Sequence, residues 1–535
     1  MRATIFILCL NFFVSMAFGQ AAAAKIKGWH LLSEQEGYLG IGAKQAYELV
    51  KHKKSTRITI AVIDSGVDTA HEDLKPVLWV NKKEIPGNGK DDDGNGYADD
   101  IHGWNFNGAA GGENLTTNTH EISRVYHNWK HEFQDKKAKD ISSDKKFLYD
   151  QWVKSERILK KQYEEYQKNF KIIENTAEVL YITNNIILRS LGKKEFVREE
   201  INLTAQDSLG WAISVWKSIF SRGNDPATKN ITVLEEIQAY KNELLNNKKR
   251  WEDTPVDHRG KLSKDNYLDI NDRIYGNNNL QTGSGNHGTH VAGIIGAVRN
   301  NNIGVDGIVE NVELMILRAV PGGDEHDKDV ALAIKYAVDN GAKIINMSFG
   351  KPVSPYKHFV DDAVRYAASK NVLLVHGSGN DGEDLDENIF YPNSIFLDGT
   401  LANNMITVGA SGDYSTGKLV ADFSNYSNKA VDIFAPGVYI NSTITGNGYE
   451  PYDGTSMASP VVAGVAGLIK SYFPELTPAQ LIDIINRSGT EIQTEVNMPG
   501  SRDKKTSLKK LSKTGKIINA YEAMKLAISL YGKQN

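Results

Sequence analysis

An α/β fold, with a doubly wound and mainly parallel sheet flanked by helices, is what this 535-residue chain predicts. Three observations carry the prediction. Ile58-Thr59-Ile60-Ala61-Val62-Ile63 is a nearly continuous aliphatic run, the pattern of a strand buried on both faces of a parallel sheet. The second half alternates aliphatic strands (Val312–Leu317, Lys343–Met347, Val372–Val375, Met405–Val408, Val431–Phe434) with amphipathic helices (Asp327–Asp339, Phe359–Ser369, Ser456–Tyr472, Pro478–Ile485). Two further stretches, Val291–Ala297 and Val461–Ile469, are small and aliphatic throughout and suit helices buried on all sides.

Bulk properties narrow the partners. Hydrophobic content of 40% and charged content of 24% are ordinary for a globular protein, and a net charge of -4 gives no basis for a nucleic-acid or anionic membrane partner. Residues 1–22 read as a signal peptide: Arg2, then the apolar run Ile5–Val14, then small residues around Ala17, Gly19 and Ala21. The run is short for a membrane span and no second segment reaches that length, so an exported protein, periplasmic or extracellular, is expected. Cys9, the one cysteine, lies in that segment. The processed chain then holds no disulfide and must rely on core size and bound metal for its stability.

After the signal, Gly40–Val50 reads as a short helix. The strand over Ile58–Ile63 ends at Asp64, and a carboxylate at the C-terminal end of a parallel strand sits where α/β proteins place ligands and chemistry; a turn-capping role fits the same position. The loop Asn88–Asp100 carries oxygen side chains at alternate positions with glycines between them, the start of a calcium-binding loop. Asp91, Asp93 and Asn95 would offer side-chain oxygens, Tyr97 its carbonyl and Asp99 a direct or water-mediated contact, although His102 stands where an EF-hand requires Glu. From Arg124 to Asn247 glycine is sparse, and Leu159, Tyr163, Tyr166, Phe170, Ile173, Ala177 and Leu180 form a heptad stripe. This predicts an all-α hairpin or bundle at 124–250, inserted between a first part of the α/β domain (25–123) and a second (251–535) that ends in a helix over Ile517–Leu530. Asp265, Asp269 and Asp272 read as a solvated acidic loop rather than a second metal site.

Two helix starts bear functional groups. Gly454-Thr455-Ser456-Met457-Ala458-Ser459-Pro460 puts Ser456 where backbone N–H groups point outward unpaired, with Pro460 read as lying within the first turn. Asn286-His287-Gly288-Thr289-His290 puts an imidazole at a second helix start. A serine nucleophile needs a base for its proton and a carboxylate to hold that base's tautomer, and Asp64, His287 and Ser456 supply the three types.

These three motifs, in the order Asp, His, Ser, resemble the subtilisin-like serine proteases over about Gly40–Phe106 and Tyr275–Ile485. The resemblance implies a serine endopeptidase acting on polypeptide substrates, with Ser456 as nucleophile, His287 as general base and Asp64 orienting it. His290 would be a helix residue outside the chemistry. Asn380, in Ser378-Gly379-Asn380-Asp381, would supply the side-chain donor of the oxyanion hole, and Ser348, Phe349 and Gly350 one edge of the substrate cleft, with Arg318 to Gly323 opposite. Asp73, with the Asn300-Asn301-Asn302 loop, would form a further structural calcium site. Asp64 and His287 are far apart in sequence because the acidic loop and the helical block lie between them; the family pattern joins them closely, so the block is expected near the cleft rim, as a lid, a substrate selector or a folding aid. Only about 40 residues separate the signal from Asp64, too few for the folded propeptide of many relatives. The alternative from another class is a non-catalytic binding or scaffold protein that uses the helical block to grip a partner.

Overall fold

Residues 27–201, 207–221, 227–281, 285–414, 418–501 and 503–532 are described by the structure, a computed structural model. The expected signal segment lies outside these residues. Two compact units divide the chain, one holding Ile122–Pro255 and the other Ala24–Glu121 with Val256–Asn535.

The larger unit is built on a nine-stranded sheet. In chain order its strands are β1 (Ile58–Asp64), β2 (Gly103–Asn105), β3 (Val312–Arg318), β4 (Ile344–Met347), β5 (Leu373–Gly377), β6 (Met405–Ser411) and β7 (Ile433–Pro436). After the hairpin β8 (Ile440–Ile444) and β9 (Gly448–Tyr452), and the small pair β11 (Val496–Asn497) and β12 (Lys505–Thr506), the sheet is completed by β10 (Thr490–Glu491) and β13 (Lys516–Ile517). The spatial order is β10-β13-β7-β6-β5-β4-β1-β3-β2, parallel except for the β10–β13 pair. The predicted α/β class is therefore what the chain adopts. β1 lies between β3 and β4, with Asp64 beside Arg318 and Ile63 beside Met347, so its aliphatic side chains are covered on both faces.

Helices pack on both sides. α1 (Ala43–Val50), α7 (Asn286–Gly296), α10 (Thr455–Tyr472), α11 (Pro478–Ser488) and α12 (Ala520–Tyr531) share one core, in which Ile60, Val291, Ile344, Val461 and Val465 are all buried. On the other face α8 (Asp327–Asp339) and α9 (Lys357–Ser369) cover Ala61, Ile63, Leu317 and Met347. Gly464 and Gly467 let α10 lie close against its neighbours, because a Cβ at Gly464 would stand 2.7 Å from Ile308 Cβ and one at Gly467 2.6 Å from Ile60 Cδ1.

The smaller unit is helical. It contains most of α2 (Glu121–Phe133), the single long helix α3 (Lys146–Leu191), α4 (Asp207–Phe220) and α5 (Asn230–Glu252). The heptad stripe falls on α3, where Leu159, Ile173, Ala177 and Leu180 are buried, and its C-terminal half shares a core with Trp216, Phe220, Val233 and Leu244.

Several expectations change. α6 (His258–Ser263) and the β8–β9 hairpin were not predicted. Pro460 is the sixth residue of α10, in its second turn rather than its first, so the bond to Ser456 O four residues back is missing. Ser348 Oγ donates to that carbonyl instead, at 2.9 Å. Asp265 is not in a solvated loop: its carboxylate is buried between Arg259 (2.8 Å) and Lys328, and Arg259 also pairs with buried Asp329.

Candidate active site

Three adjacent parallel strands, β1, β4 and β5, deliver their C-terminal ends to one edge of the sheet. Asp64 terminates β1, Ser348 follows β4, and Asn380 stands three residues beyond β5. The ends of such strands, where backbone pairing stops, are where this class of sheet exposes functional groups.

Asp64 is 1% exposed. Its Oδ1 accepts the Ser65 N–H at 2.7 Å and faces His287 Nδ1 at 2.7 Å, across 223 residues of sequence. His287 is the second residue of α7, and the glycine after it makes the approach possible: a Cβ at Gly288 would overlap Gly66 O and stand 3.1 Å from Asp64 Cβ. Burial pushes the His287 imidazole down, but the charge and hydrogen bond of Asp64 outweigh it, and the net pKa lies above the ordinary 6.5. The ring keeps 39% of its side-chain surface exposed, so the nitrogen turned away from Asp64 is open to a reacting group. His290, one turn on, is different. It is buried, stacks on Tyr452 at 4.4 Å, meets Glu450 O at 3.0 Å and is pushed down to about 4 by burial, which keeps it neutral.

Ser456 is the second residue of α10, partly exposed, and its N–H has no acceptor inside the helix. Its hydroxyl donates to Ser348 O at 3.1 Å. The structure thus brings His287 onto Asp64 but does not place Ser456 Oγ in hydrogen-bond contact with His287; catalytic contacts are often loose without substrate and tighten in the reacting complex. Asn380 is exposed, and its Oδ1 accepts both Thr455 N–H (2.9 Å) and Thr455 Oγ–H (3.0 Å). With the oxygen end held, the Nδ2 hydrogens remain for a ligand. Thr455 was not singled out from sequence, although its place directly before Ser456 was a usable signal.

The proposed substrate edge divides in two. Ser348 is buried, and beyond its contacts to Ser456 its hydroxyl meets Ser459 Oγ (2.8 Å) and accepts from Asn346 Nδ2 (2.9 Å). Phe349 and Gly350 are half-buried, with Phe349 O meeting His376 Nε2 at 2.8 Å. The opposite edge is corrected by the structure. Arg318 is fully buried and donates to Ser65 O, Asn105 Oδ1, Asn107 O and Leu115 O, so it is a core cation that ties loops together. Gly322 is already paired in parallel with Thr117, through Asn118 N–H to Gly322 O and Gly322 N–H to Thr116 O.

In the acidic loop, oxygens of Glu84, Asp91 and Asp93 lie within 4.8 Å of one another. Glu84, not predicted, is 6% exposed and accepts the N–H groups of Asp92, Asp93 and Asp99. Asp91 and Asp93 accept from Gly94, Asn95 and Gly96. Asn95 is turned away, its amide donating to Asp100 and its oxygen accepting Tyr97 N–H. Asp99 spends both oxygens on the N–H groups of Gly87, Asn88 and Gly89, the work of a turn cap, and the Tyr97 side chain is buried against Trp104 and Tyr336. Asp73 is fully buried and receives Asn301 Nδ2 (2.6 Å), Val305 N–H (3.2 Å) and Tyr449 O–H (3.2 Å), so donors rather than fellow carboxylates surround it.

Comparison with known proteins places this arrangement. The chain is 43% identical over 187 residues to the thermophilic serine proteinase of Bacillus sp. (strain AK1), a match covering 35% of this chain and 43% of that protein. It is 37% identical over 229 residues to subtilisin Savinase of Lederbergia lenta, covering 43% of this chain and 78% of that protein. Among solved structures, that of a cold adapted subtilisin-like serine proteinase is 29% identical, covering 44% of this chain and 74% of that chain at a TM-score of 0.35. The chain spans about half the length of most of the curated relatives it matches. A family model matches residues 55–506, a span that takes in the strand-terminal aspartate, the helix-start histidine and the helix-start serine together, and the chain therefore belongs to the subtilase family.

Proposed function

We propose that the chain is a serine endopeptidase that cleaves polypeptides through an acyl-enzyme. The observation that carries this reading is the 2.7 Å contact of buried Asp64 with His287 Nδ1 at the same sheet edge as Ser456. In the proposed cycle, His287 Nε2 takes the hydroxyl proton as Ser456 Oγ attacks the scissile carbonyl carbon. Asn380 Nδ2 and the Ser456 N–H hold the oxyanion. Collapse breaks the C–N bond, with the proton passing from His287 to the leaving amine. A water deprotonated by His287 then attacks the ester carbonyl, the C–O bond to Ser456 breaks, and His287 returns the proton to Ser456 Oγ as the acid leaves. Asp64 holds the tautomer and stabilises the imidazolium. The incoming peptide adds as a strand along Ser348, Phe349 and Gly350.

A fluorophosphonate probe tests the reading. The expected result is one adduct, lost in Ser456→Ala; no adduct on the wild-type chain, or one that persists in the variant, overturns it in favour of a binding protein on the same fold.

The proposal includes a structural calcium ion at Glu84, Asp91 and Asp93. The donor set fits a hard cation, since three carboxylates converge and Lys83, at 3.9 Å from Asp93, offers only an exposed side chain in partial compensation. Calcium would neutralise this repulsion. Chelation should lower the melting temperature of the wild-type chain and much less that of Glu84→Gln; equal shifts in both sink the assignment. Export rests on residues 1–22, and N-terminal sequencing of protein recovered outside the cytoplasm checks it.

A further inference from the structure

A peptide whose carbonyl carbon sits over Ser456, with its oxygen toward Asn380, has little choice about where its next side chain goes. In that pose the acyl-side residue would enter between the segments that follow β4 and β5, which carry Ser348–Gly350 and Ser378–Asn380. Both segments present glycines to the space between them, Gly350 and Gly379. In a cleft of this kind, paired glycines leave a slot for a substrate side chain.

Here the slot is occupied from below. A Cβ at Gly350 would overlap Cε1 of Phe390 and stand 2.9 Å from its Cζ. A Cβ at Gly379 would stand 3.2 Å from the same Cε1. One edge of the Phe390 ring therefore reaches both walls. The backbone beside the ring is also anchored. Tyr391 exchanges both backbone hydrogen bonds with Lys351, each at 2.9 Å, which fixes the chain beside Phe390 to the residue after Gly350. Phe390 also borders a cavity of about 40 Å³, together with His376, Ser378, Leu385 and Pro392. Gly350 and Gly379 do not border it, so the ring is the partition between slot and cavity. At ~10–15 Å³ for one water, the cavity holds only a few waters.

We infer that Phe390 is a specificity-determining residue, closing the acyl-side slot so that the residue before the scissile bond must be small: glycine, alanine or serine. The inference rests on the proposed endopeptidase reading and names the substrate class of that site. Larger side chains meet the ring, whose backbone is anchored by the Lys351–Tyr391 pairing next to it, whereas a methyl or hydroxymethyl group stops short of it. Replacing the ring by a small side chain joins slot to cavity and makes a deeper pocket.

Peptides differing only at the acyl-side residue (Gly, Ala, Ser, Leu, Phe) test this on the full chain, with wild type, Phe390→Ala and Phe390→Leu, and with active sites counted by fluorophosphonate labelling so that misfolded protein does not enter the rates. The expected wild-type kcat/KM is at least tenfold higher after Ala than after Phe, a ratio that Phe390→Ala reduces by tenfold or more and Phe390→Leu changes much less. Wild-type protein that cleaves after Phe or Leu as well as after Ala overturns the inference, as does a ratio indifferent to Phe390→Ala in labelled enzyme. Absence of labelling and of all hydrolysis overturns the endopeptidase reading itself, and this inference with it.

Discussion

Thr455 holds Asn380 by its oxygen end, and in the proposed reaction the consequence is chemical: the amide hydrogens would be left for the developing oxyanion without reorganisation at the moment of reaction. Loss of one such donor in subtilisin lowers turnover on the order of 10²–10³, and Asn380→Ala should lower kcat by a similar factor with KM little changed; an unaltered kcat would remove Asn380 from the chemistry. His287 carries a second expectation. As general base it must be neutral, and Asp64 raises its pKa above 6.5, so kcat/KM should rise through a limb placed above that value. Asp64→Asn removes the raising influence, and its residual activity should show the limb displaced to lower pH. The same shift has a stability sign. A raised folded pKa makes protonated His287 stabilising, in full below its unfolded value near 6.5, and the contribution disappears as pH rises through the folded pKa.

Among the elements, α10 shows what close packing demands. Gly464 faces Ile308 Cβ, which cannot move without its backbone, whereas Gly467 faces side-chain methyls, the tip of Ile60 at 2.6 Å and Val309 Cγ2 at 3.1 Å. Gly464→Ala should destabilise by up to about 2 kcal/mol, as overpacking of about 1–3 kcal/mol is partly offset by better helix propensity. Gly467→Ala should cost less, and denaturant midpoints showing the reverse order would refute the packing argument. The strands and buried helices were legible in the sequence because continuous burial leaves a continuous apolar pattern, as at Ile58–Ile63 and Val461–Ile469. The β8–β9 hairpin was not: β9 is largely solvated and its residues, Gly448–Tyr452, show no alternation. Asp64, His287 and Ser456 could be marked because each stands in a long local motif. Glu84 and Phe390 act through contacts that only the fold creates, and the oxygens of Asn95 and Asp99 are taken by backbone donors that spacing alone cannot reveal.

The molecule as a whole has separate interiors. Among the described residues, the helical core formed by Ile173, Trp216, Leu244 and their neighbours shares no residue with the cores on either face of the sheet. Replacement of residues 122–255 by a flexible linker should therefore leave a sheet unit that melts cooperatively and still labels at Ser456; loss of cooperative melting would show that the helical unit is needed for folding. Within the sheet unit, the buried Arg259–Asp329 pair is costly to break from one side. Arg259→Met leaves the buried Asp329 carboxylate without its guanidinium partner, and should cost about 3–5 kcal/mol, read from chemical denaturation.

Pro460 bears on the timescale of motion. The first turn of a helix is normally where it frays, and a proline that deletes a bond there should make fraying worse. In α10 the opposite holds, because Ser348 grips the Ser456 carbonyl from the segment just after β4, while Met457 and Ala458 close back on Gly454. In amide exchange, the Met457 and Ala458 protons should be slow and that of Ser456, which has no intrahelical acceptor, fast. A boronate on Ser456 should then slow that one proton selectively, a direct signal of the oxyanion hole being filled.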